Sequence, residues 1–156
     1  LYAISLPSTG GNTSFASMRA AYAELPEAMQ QQLQGLRTVN TLNGHTQART
    51  EDIAKYGTPV LHPLVRTHPE NGTKALYFHP TKSKVIEGMS PEKSQALLEK
   101  LLDMAIQPHR IYQHTWRLGD MVIFDNRAAM HKAHGDYDRS QVRLLHRIIL
   151  QGDRPV

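Results

Sequence analysis

An antiparallel sheet or barrel with helices packed on its outside is the fold class that the sequence predicts, and two patterns carry this expectation. Apolar residues recur at three- and four-residue spacing in parts of the first hundred positions, as on helix faces. Beyond Pro108 the chain breaks into short apolar runs separated by turn residues, which reads as a series of strands.

Residues 1–6 are a short apolar run entering Pro7-Ser8-Thr9-Gly10-Gly11-Asn12, a cluster of turn formers, and read as a strand running into a tight loop. A helix is expected directly after it, capped by Thr13 or Ser14, with Phe15, Met18, Ala21, Tyr22 and Leu25 on one face. Pro26 suits the first position of a second helix whose Met29, Leu33 and Leu36 turn inward. Periodicity fails between Thr38 and His62, and this polar stretch is expected to be a long loop or lid. Residues 63–67 and 74–79 are strand candidates joined through Asn71-Gly72, a strong hairpin signal. Ser90-Pro91-Glu92 opens the best-marked helix, with Leu97, Leu98, Leu101, Leu102 and Ala105 as its buried stripe, and Pro108 ends it. Strands are then expected at 110–115, 121–125, 128–133 and 143–150.

The composition removes whole classes of function. The 156 residues suffice for one domain, expected to span 1–156, and 40% hydrophobic with 21% charged residues is ordinary for a globular chain. The longest apolar runs fall far short of the ~20 residues that a membrane span needs. There is no cysteine, so any metal must be held by His, Asp or Glu. The charge of +4 is spread out, with Lys74, Lys82 and Lys84 as the one loose cluster, and a nucleic-acid surface would carry a denser stripe. The chain opens Leu1-Tyr2-Ala3-Ile4 without Met or a signal-like segment, so its true N-terminus is expected upstream.

Nine histidines are too many for any one to be a signal by itself. His45, His62, His68 and His109 lie in polar or proline-flanked stretches and are expected to be exposed. His131 follows an apolar strand and a polar turn, which puts its imidazole at the edge of a core; on context alone it is either a satisfied structural histidine or a ligand. The run Arg143-Leu144-Leu145-His146-Arg147-Ile148-Ile149-Leu150 embeds two cations in an aliphatic strand. Residues 143, 145, 147 and 149 share one strand face, with the two guanidinium groups about 13 Å apart. Turned into a barrel, that face requires an anion, because an unpaired buried charge costs several kcal/mol; turned outward, it is a solvated sheet face.

Read in order, Gly10-Gly11-Asn12-Thr13, Met18-Arg19-Ala20-Ala21-Tyr22, Val65-Arg66-Thr67-His68-Pro69, Trp116-Arg117-Leu118-Gly119-Asp120, Asp125-Asn126-Arg127, His131, Asp136-Tyr137, Arg143 and Arg147 resemble the C-terminal portion of the taurine dioxygenase and dichlorophenoxyacetate dioxygenase family. The resemblance covers nearly the whole chain. It implies a mainly β fold with packed helices, a double-stranded β-helix (a cupin-like jelly roll), and an Fe(II)- and α-ketoglutarate-dependent oxygenase. By that resemblance His131 is the distal iron ligand and Arg143 clamps the far carboxylate of α-ketoglutarate with Thr13. Arg147 matches a second arginine that points toward the substrate anion or the co-substrate. Such enzymes hold iron on a facial triad of two His and one carboxylate.

Two departures are visible. The family's first His-x-Asp iron motif would precede Leu1, so the jelly roll is expected to be incomplete at its N-terminal side. The literal His134-Gly135-Asp136 follows His131 by only three residues, and on an extended chain 131 and 134 face opposite sides. Phe124 stands where the family usually has Trp, keeping an aromatic wall without an indole N–H. Residues 77–82 fall where the family lines its substrate pocket, with Lys82 open to two readings, an anion contact or a solvated amine. The expected partners are a small organic anion (a sulfonate such as taurine, an alkyl sulfate or an aryloxyalkanoate) and dioxygen, in a cytoplasmic homo-oligomer. The competing expectation is a non-catalytic anion-binding domain of the same fold without a complete iron triad.

Overall fold

The computed structural model describes residues 1–41 and 49–155. The chain runs through β1 (Tyr2–Ser5), β2 (Thr13–Ser17), α1 (Met18–Ala23), α2 (Glu27–Leu33), β3 (Arg37–Asn40), α3 (Thr50–Tyr56), β4 (Val60–Pro63), β5 (Val65–Thr67), β6 (Lys74–Leu76), β7 (Ser83–Ile86), α4 (Pro91–Ala105), a 3-10 turn at Pro108–Arg110, β8 (Ile111–His114), β9 (Ala129–Ala133) and β10 (Leu144–His146). The strands form four antiparallel sheets, ordered β1-β10, β8-β2-β9, β4-β3-β7 and β5-β6. Strands are therefore spread along the chain rather than confined to its second half, and the class is mainly β with packed helices, as expected.

The largest departure from the sequence pattern concerns Thr13–Ser17, which is a strand and not the first turn of a helix. Both of its edges are hydrogen-bonded, to β8 on one side and β9 on the other, and this pairing outweighs a weak local helical pattern. Helix α1 starts at Met18, with the Ser17 hydroxyl accepting the Ala20 N–H at 3.2 Å. The expected inward residues are still buried, because Phe15 packs from the strand while Met18, Ala21 and Tyr22 pack from the helix. Pro26 caps α2 from one position outside it.

The stretch between Thr38 and His62 was expected to be one long loop, and it carries β3, α3 and β4 instead. Thr38, fully buried, sits in the central strand of its sheet, and that sheet pairing supplies the order that periodicity did not show. Residues 42–48, His45 among them, lie outside the described residues. The hairpin at Asn71-Gly72 forms, with Gly72 at φ +69°, although its second strand ends at Leu76 rather than at 79. Helix α4 follows its expected bounds: Ser90 caps it, Leu98, Leu101 and Ala105 are buried, and Leu97 and Leu102 of the expected stripe are half-buried at its margin. The Ser94 hydroxyl on α4 accepts the Ile86 N–H at 3.0 Å, which locks the helix to β7.

Two late strands are shorter than expected. Of residues 121–125 only Met121 forms a bridge, to Tyr2, while Val122 exchanges 2.8 Å hydrogen bonds with Leu1. The expected strand 143–150 is ordered as a ladder only at Leu144–His146, because its partner β1 ends opposite His146 at Tyr2. Ile148, Ile149 and Leu150 are correspondingly exposed. Among the described residues no helix is long and apolar enough to cross a membrane.

The end of α1 is tied to the start of β8 by Glu24, whose Oε2 accepts from Arg110 at 2.7 Å and His109 at 3.0 Å. Hydrogen bonds from Arg110 and then His109 lower the Glu24 pKa from 4.5 to about 2. A carboxylate depressed in the folded state stabilises it above its unfolded pKa, and this contribution is lost as the pH falls from about 4.5 toward 2. Glu24→Gln is therefore expected to flatten the loss of stability across that window, measured by urea denaturation at several pH values; an unchanged pH profile would remove Glu24 from the acid response.

Candidate active site

Gly10 and Gly11 take positive φ values of +73° and +69°, and the turn they make is closed around two later side chains. A Cβ on Gly10 would lie 2.5 Å from the Asp136 carbonyl oxygen, so only glycine fits. The Gly11 N–H donates to Asp136 Oδ1 at 2.9 Å, and this bond is the main cause holding the Asp136 carboxyl below its usual range. The Gly11 carbonyl accepts from Arg143 Nε at 2.7 Å.

Thr13, 1% exposed, completes the arrangement from β2. Its Oγ1 accepts from Trp116 Nε1 at 3.0 Å and from Arg143 Nη2 at 3.2 Å. A hydroxyl oxygen has two lone pairs, so both are committed and the O–H is left as a donor. Arg143 Nη1 likewise has no protein partner among the described residues. Thr13 and Arg143, expected from the sequence to act together, are in direct hydrogen-bond contact, and each keeps a donor without a protein partner among the described residues.

Two residues along β2, Phe15 lies opposite His131 of β9. The His131 ring packs edge-on to Phe124 at 4.8 Å and lies 6.1 Å from Phe15. Partial desolvation, and then the positive charge of Arg147, lower the His131 pKa, which favours the neutral imidazole that a metal ligand needs, although the residue as a whole is exposed. Arg147 thus lies within electrostatic reach of His131. It is exposed just beyond β10 and forms no ion pair among the described residues.

His134 and Asp136 do not join His131. His134 Nε2 is 2.7 Å from the Ser14 hydroxyl, on the residue next to the one that faces His131, and Asp136 is committed to Gly11. Among the described residues no group of three His, Asp or Glu side chains could hold a metal ion. His131 fits an iron site as one neutral nitrogen ligand, and a complete facial triad needs two further ligands.

A cleft of about 1190 Å³ opens beside this group, lined by His131, Met130, Leu102, Ile106, His62 and the segment 77–82. Lys82 is half-buried and lines it, which favours the cleft over the solvated alternative. Two histidines depart from the expected exposure. His62 is half-buried and stacked on Tyr77 at 5.7 Å, with burial and then Arg66 lowering its pKa. The His68 side chain is only 11% exposed and bonds Asp125 Oδ2 at 3.0 Å. His109 is 61% exposed, as expected.

Sequence reasoning missed two polar groups. Arg66 is buried at 5% exposure, with its guanidinium over the Tyr77 ring at 4.9 Å and a 3.3 Å bond to the Asp153 carbonyl. The other is the set formed by His68, Glu70, Asp125 and Arg127. The spacing of Asp125 and Arg127, two apart around a turn, was the available signal for the second; nothing local marks the first.

Residues 1–149 match the family model described as Taurine catabolism dioxygenase TauD, TfdA family. The chain is 40% identical over 159 residues to an (S)-phenoxypropionate/alpha-ketoglutarate-dioxygenase of Sphingobium herbicidovorans, covering 95% of this chain and 55% of the relative. It is 39% identical over 160 residues to an alpha-ketoglutarate-dependent 2,4-dichlorophenoxyacetate dioxygenase of Burkholderia sp. (strain RASC), covering 99% and 53%. The chain thus spans about half the length of these curated relatives. The crystal structure of AAD-2 in complex with Mn(II) and N-oxalylglycine superposes with a TM-score of 0.80 at 38% identity, over 90% of this chain and 57% of that one. A taurine dioxygenase from Burkholderia xenovorans superposes with a TM-score of 0.73 at 33% identity, over 85% and 43%.

Thr13→Val removes the acceptor of both the Trp116 and Arg143 donors without changing side-chain shape. It is expected to cost about 1–3 kcal/mol, the scale of orphaning buried donors, measured by denaturant unfolding; an unchanged midpoint would show that Trp116 and Arg143 find other acceptors.

Proposed function

Because the chain belongs to the TauD/TfdA dioxygenase family, whose jelly-roll fold it shares, we propose that it is the C-terminal half of an Fe(II)- and α-ketoglutarate-dependent dioxygenase that hydroxylates a small organic anion. The substrate class is a sulfonate, an alkyl or other sulfate ester, or an aryloxyalkanoate, classes that several of its relatives are named for. The observation that carries this reading is the Thr13 and Arg143 pair standing on the same strand system as His131.

Bound iron supplies dioxygen activation, coupling oxidation of α-ketoglutarate to succinate and carbon dioxide with hydroxylation of the substrate. His131 offers its neutral nitrogen to the metal from the edge of an aromatic wall. Arg143 Nη1 and the Thr13 O–H receive the far carboxylate of α-ketoglutarate with charge-assisted hydrogen bonds. Arg147, without a protein anion and close to His131, receives the negative group of the substrate. Phe15 and Phe124 pack against one side of the His131 ring and leave its other side exposed toward the cleft.

The remaining His-x-Asp ligands are assigned to chain outside this sequence. The exposed apolar side chains around β1 and β10 support that assignment: Ile4, Met121, Ile123 and Leu144 are 49%, 69%, 85% and 49% exposed on one region of the molecule. The second reading, a domain that binds anions without redox chemistry, draws on the lack of a three-ligand group among the described residues. Iron-dependent succinate formation by the full-length protein separates the two, since only the enzyme produces it. The cytoplasmic location expected from the sequence belongs to the same reading.

In that protein Arg143→Ala is expected to raise the α-ketoglutarate KM ten-fold or more, from loss of roughly 1.5–3 kcal/mol of charge-assisted contact. An unchanged KM would detach Arg143 from the co-substrate. Arg147→Met keeps bulk and removes charge, so substrate KM should rise more than α-ketoglutarate KM; equal rises, or a rise for α-ketoglutarate alone, would assign Arg147 to the co-substrate.

A further inference from the structure

The cleft has two walls contributed by distant parts of the chain. One is the segment 77–82, which continues directly from the β5–β6 hairpin, and the other is β9 with Met130 and His131. The far end of that hairpin meets the turn that leads into β9 through four polar side chains. His68 Nε2 lies 3.0 Å from Asp125 Oδ2, across 57 residues. Arg127 donates from Nε to both Asp125 oxygens at 3.0 Å, from Nη2 to Oδ2 at 2.8 Å and from its backbone N–H to Oδ1 at 2.8 Å. Arg127 Nη2 also reaches Glu70 Oε1 at 3.1 Å.

The protonation pattern is legible. The Glu70 N–H donates to His68 Nδ1 at 3.3 Å, which makes Nδ1 an acceptor and places the ring proton on Nε2, where it donates to Asp125. Hydrogen bonds from Arg127 hold the Asp125 carboxyl far below the usual carboxylate range, with His68 adding to the effect. A charged carboxylate with both oxygens filled fixes the turn. Glu70, 73% exposed, contributes little, while the 11% exposed His68 is the inner contact that ties hairpin to turn.

Phe124 is the residue before Asp125, and its ring sits 4.8 Å from both Phe15 and His131. Fixing Asp125 therefore fixes the ring that backs the imidazole. The same turn is closed by the Ala128 N–H to the Asp125 carbonyl at 3.2 Å and is anchored to α1 by the Met18 N–H to the Ala128 carbonyl at 2.9 Å.

We propose that His68 is a positioning residue: through Asp125 and Arg127 it sets the Phe124 ring against His131 and holds the 77–82 wall at a fixed distance from it. This rests on the functional reading above only for its consequence in turnover, since the placement of Phe124 can be read without iron. A cleft whose two walls drift apart no longer presents the substrate C–H bond correctly, and the second oxygen atom of dioxygen is then reduced to water by an added two-electron reductant such as ascorbate, so α-ketoglutarate is consumed without substrate hydroxylation.

The test uses the full-length protein carrying 4-fluorophenylalanine at position 124, with His68→Leu and His68→Gln compared; glutamine keeps both a donor and an acceptor, and leucine keeps neither. Without iron or α-ketoglutarate, the fluorine resonance should shift and broaden in His68→Leu and return toward the parent position in His68→Gln. With both added, the ratio of hydroxylated phenoxyacetate or taurine to α-ketoglutarate consumed should fall roughly ten-fold in His68→Leu, with the glutamine variant restoring it. Should His68→Leu not fold, Asp125→Asn is the replacement, and the same displaced resonance is expected. A parent-like resonance and ratio in the leucine variant, whatever its melting temperature, would overturn the proposal, as would equal damage in leucine and glutamine variants. If even the parent consumes no α-ketoglutarate, the functional reading fails while the fluorine spectra still decide the placement.

Discussion

Two-sided hydrogen bonding of β2 holds the site together. Because Thr13–Ser17 is paired along both edges, the positions of its side chains relative to β8 and β9 are set by ladder register and not by loop packing. Thr13 is thereby placed against Trp116 and Arg143, and Phe15 against His131. A one-residue slip would turn both to the opposite face. The same strand runs without interruption into α1, whose Met18, Ala21 and Tyr22 join the main core with Leu33, Leu76 and Leu101. The chemistry-bearing face and the packed interior are therefore mechanically continuous.

The electrostatics of this face are one-sided. Arg143 is half-buried with a carbonyl and a hydroxyl as partners, neither of which carries a negative charge, and Arg147 adds a second cation near a neutral imidazole. The carboxylates of the neighbouring turns have hydrogen-bond partners of their own: Asp136 accepts from the Gly11 N–H, and Asp125 from Arg127 and His68. Asp136 is near enough for Arg143 to help lower its pKa, but its Oδ1 is held by the Gly11 N–H and makes no hydrogen bond to the guanidinium, which leaves Arg143 able to take a further anion.

Much of the site was legible in the sequence because it depends on residue types at fixed spacings. Gly10-Gly11 marked a turn that only glycine can make, and the cations at 143 and 147 stood out in an aliphatic run. What local patterning could not show is pairing partners. Phe15 satisfies a helical stripe as well as a strand, and only the two neighbouring ladders decide between them. The strand expected at 121–125 failed for the converse reason, since apolar residues without a paired neighbour do not make a ladder, and Ile123 stays 85% exposed. The contact from His68 to Asp125 spans two elements and has no local signature, so a histidine flanked by proline was read as a surface residue.

The hydroxyl of Thr13 has one further property. With Trp116 and Arg143 occupying its lone pairs, its rotation about Cβ–Oγ1 is confined before any ligand arrives, and Arg143 is confined with it by the Gly11 carbonyl. The rotational entropy of the donors is therefore surrendered during folding, so an incoming carboxylate meets groups that are already aimed and its association carries little reorganisation cost.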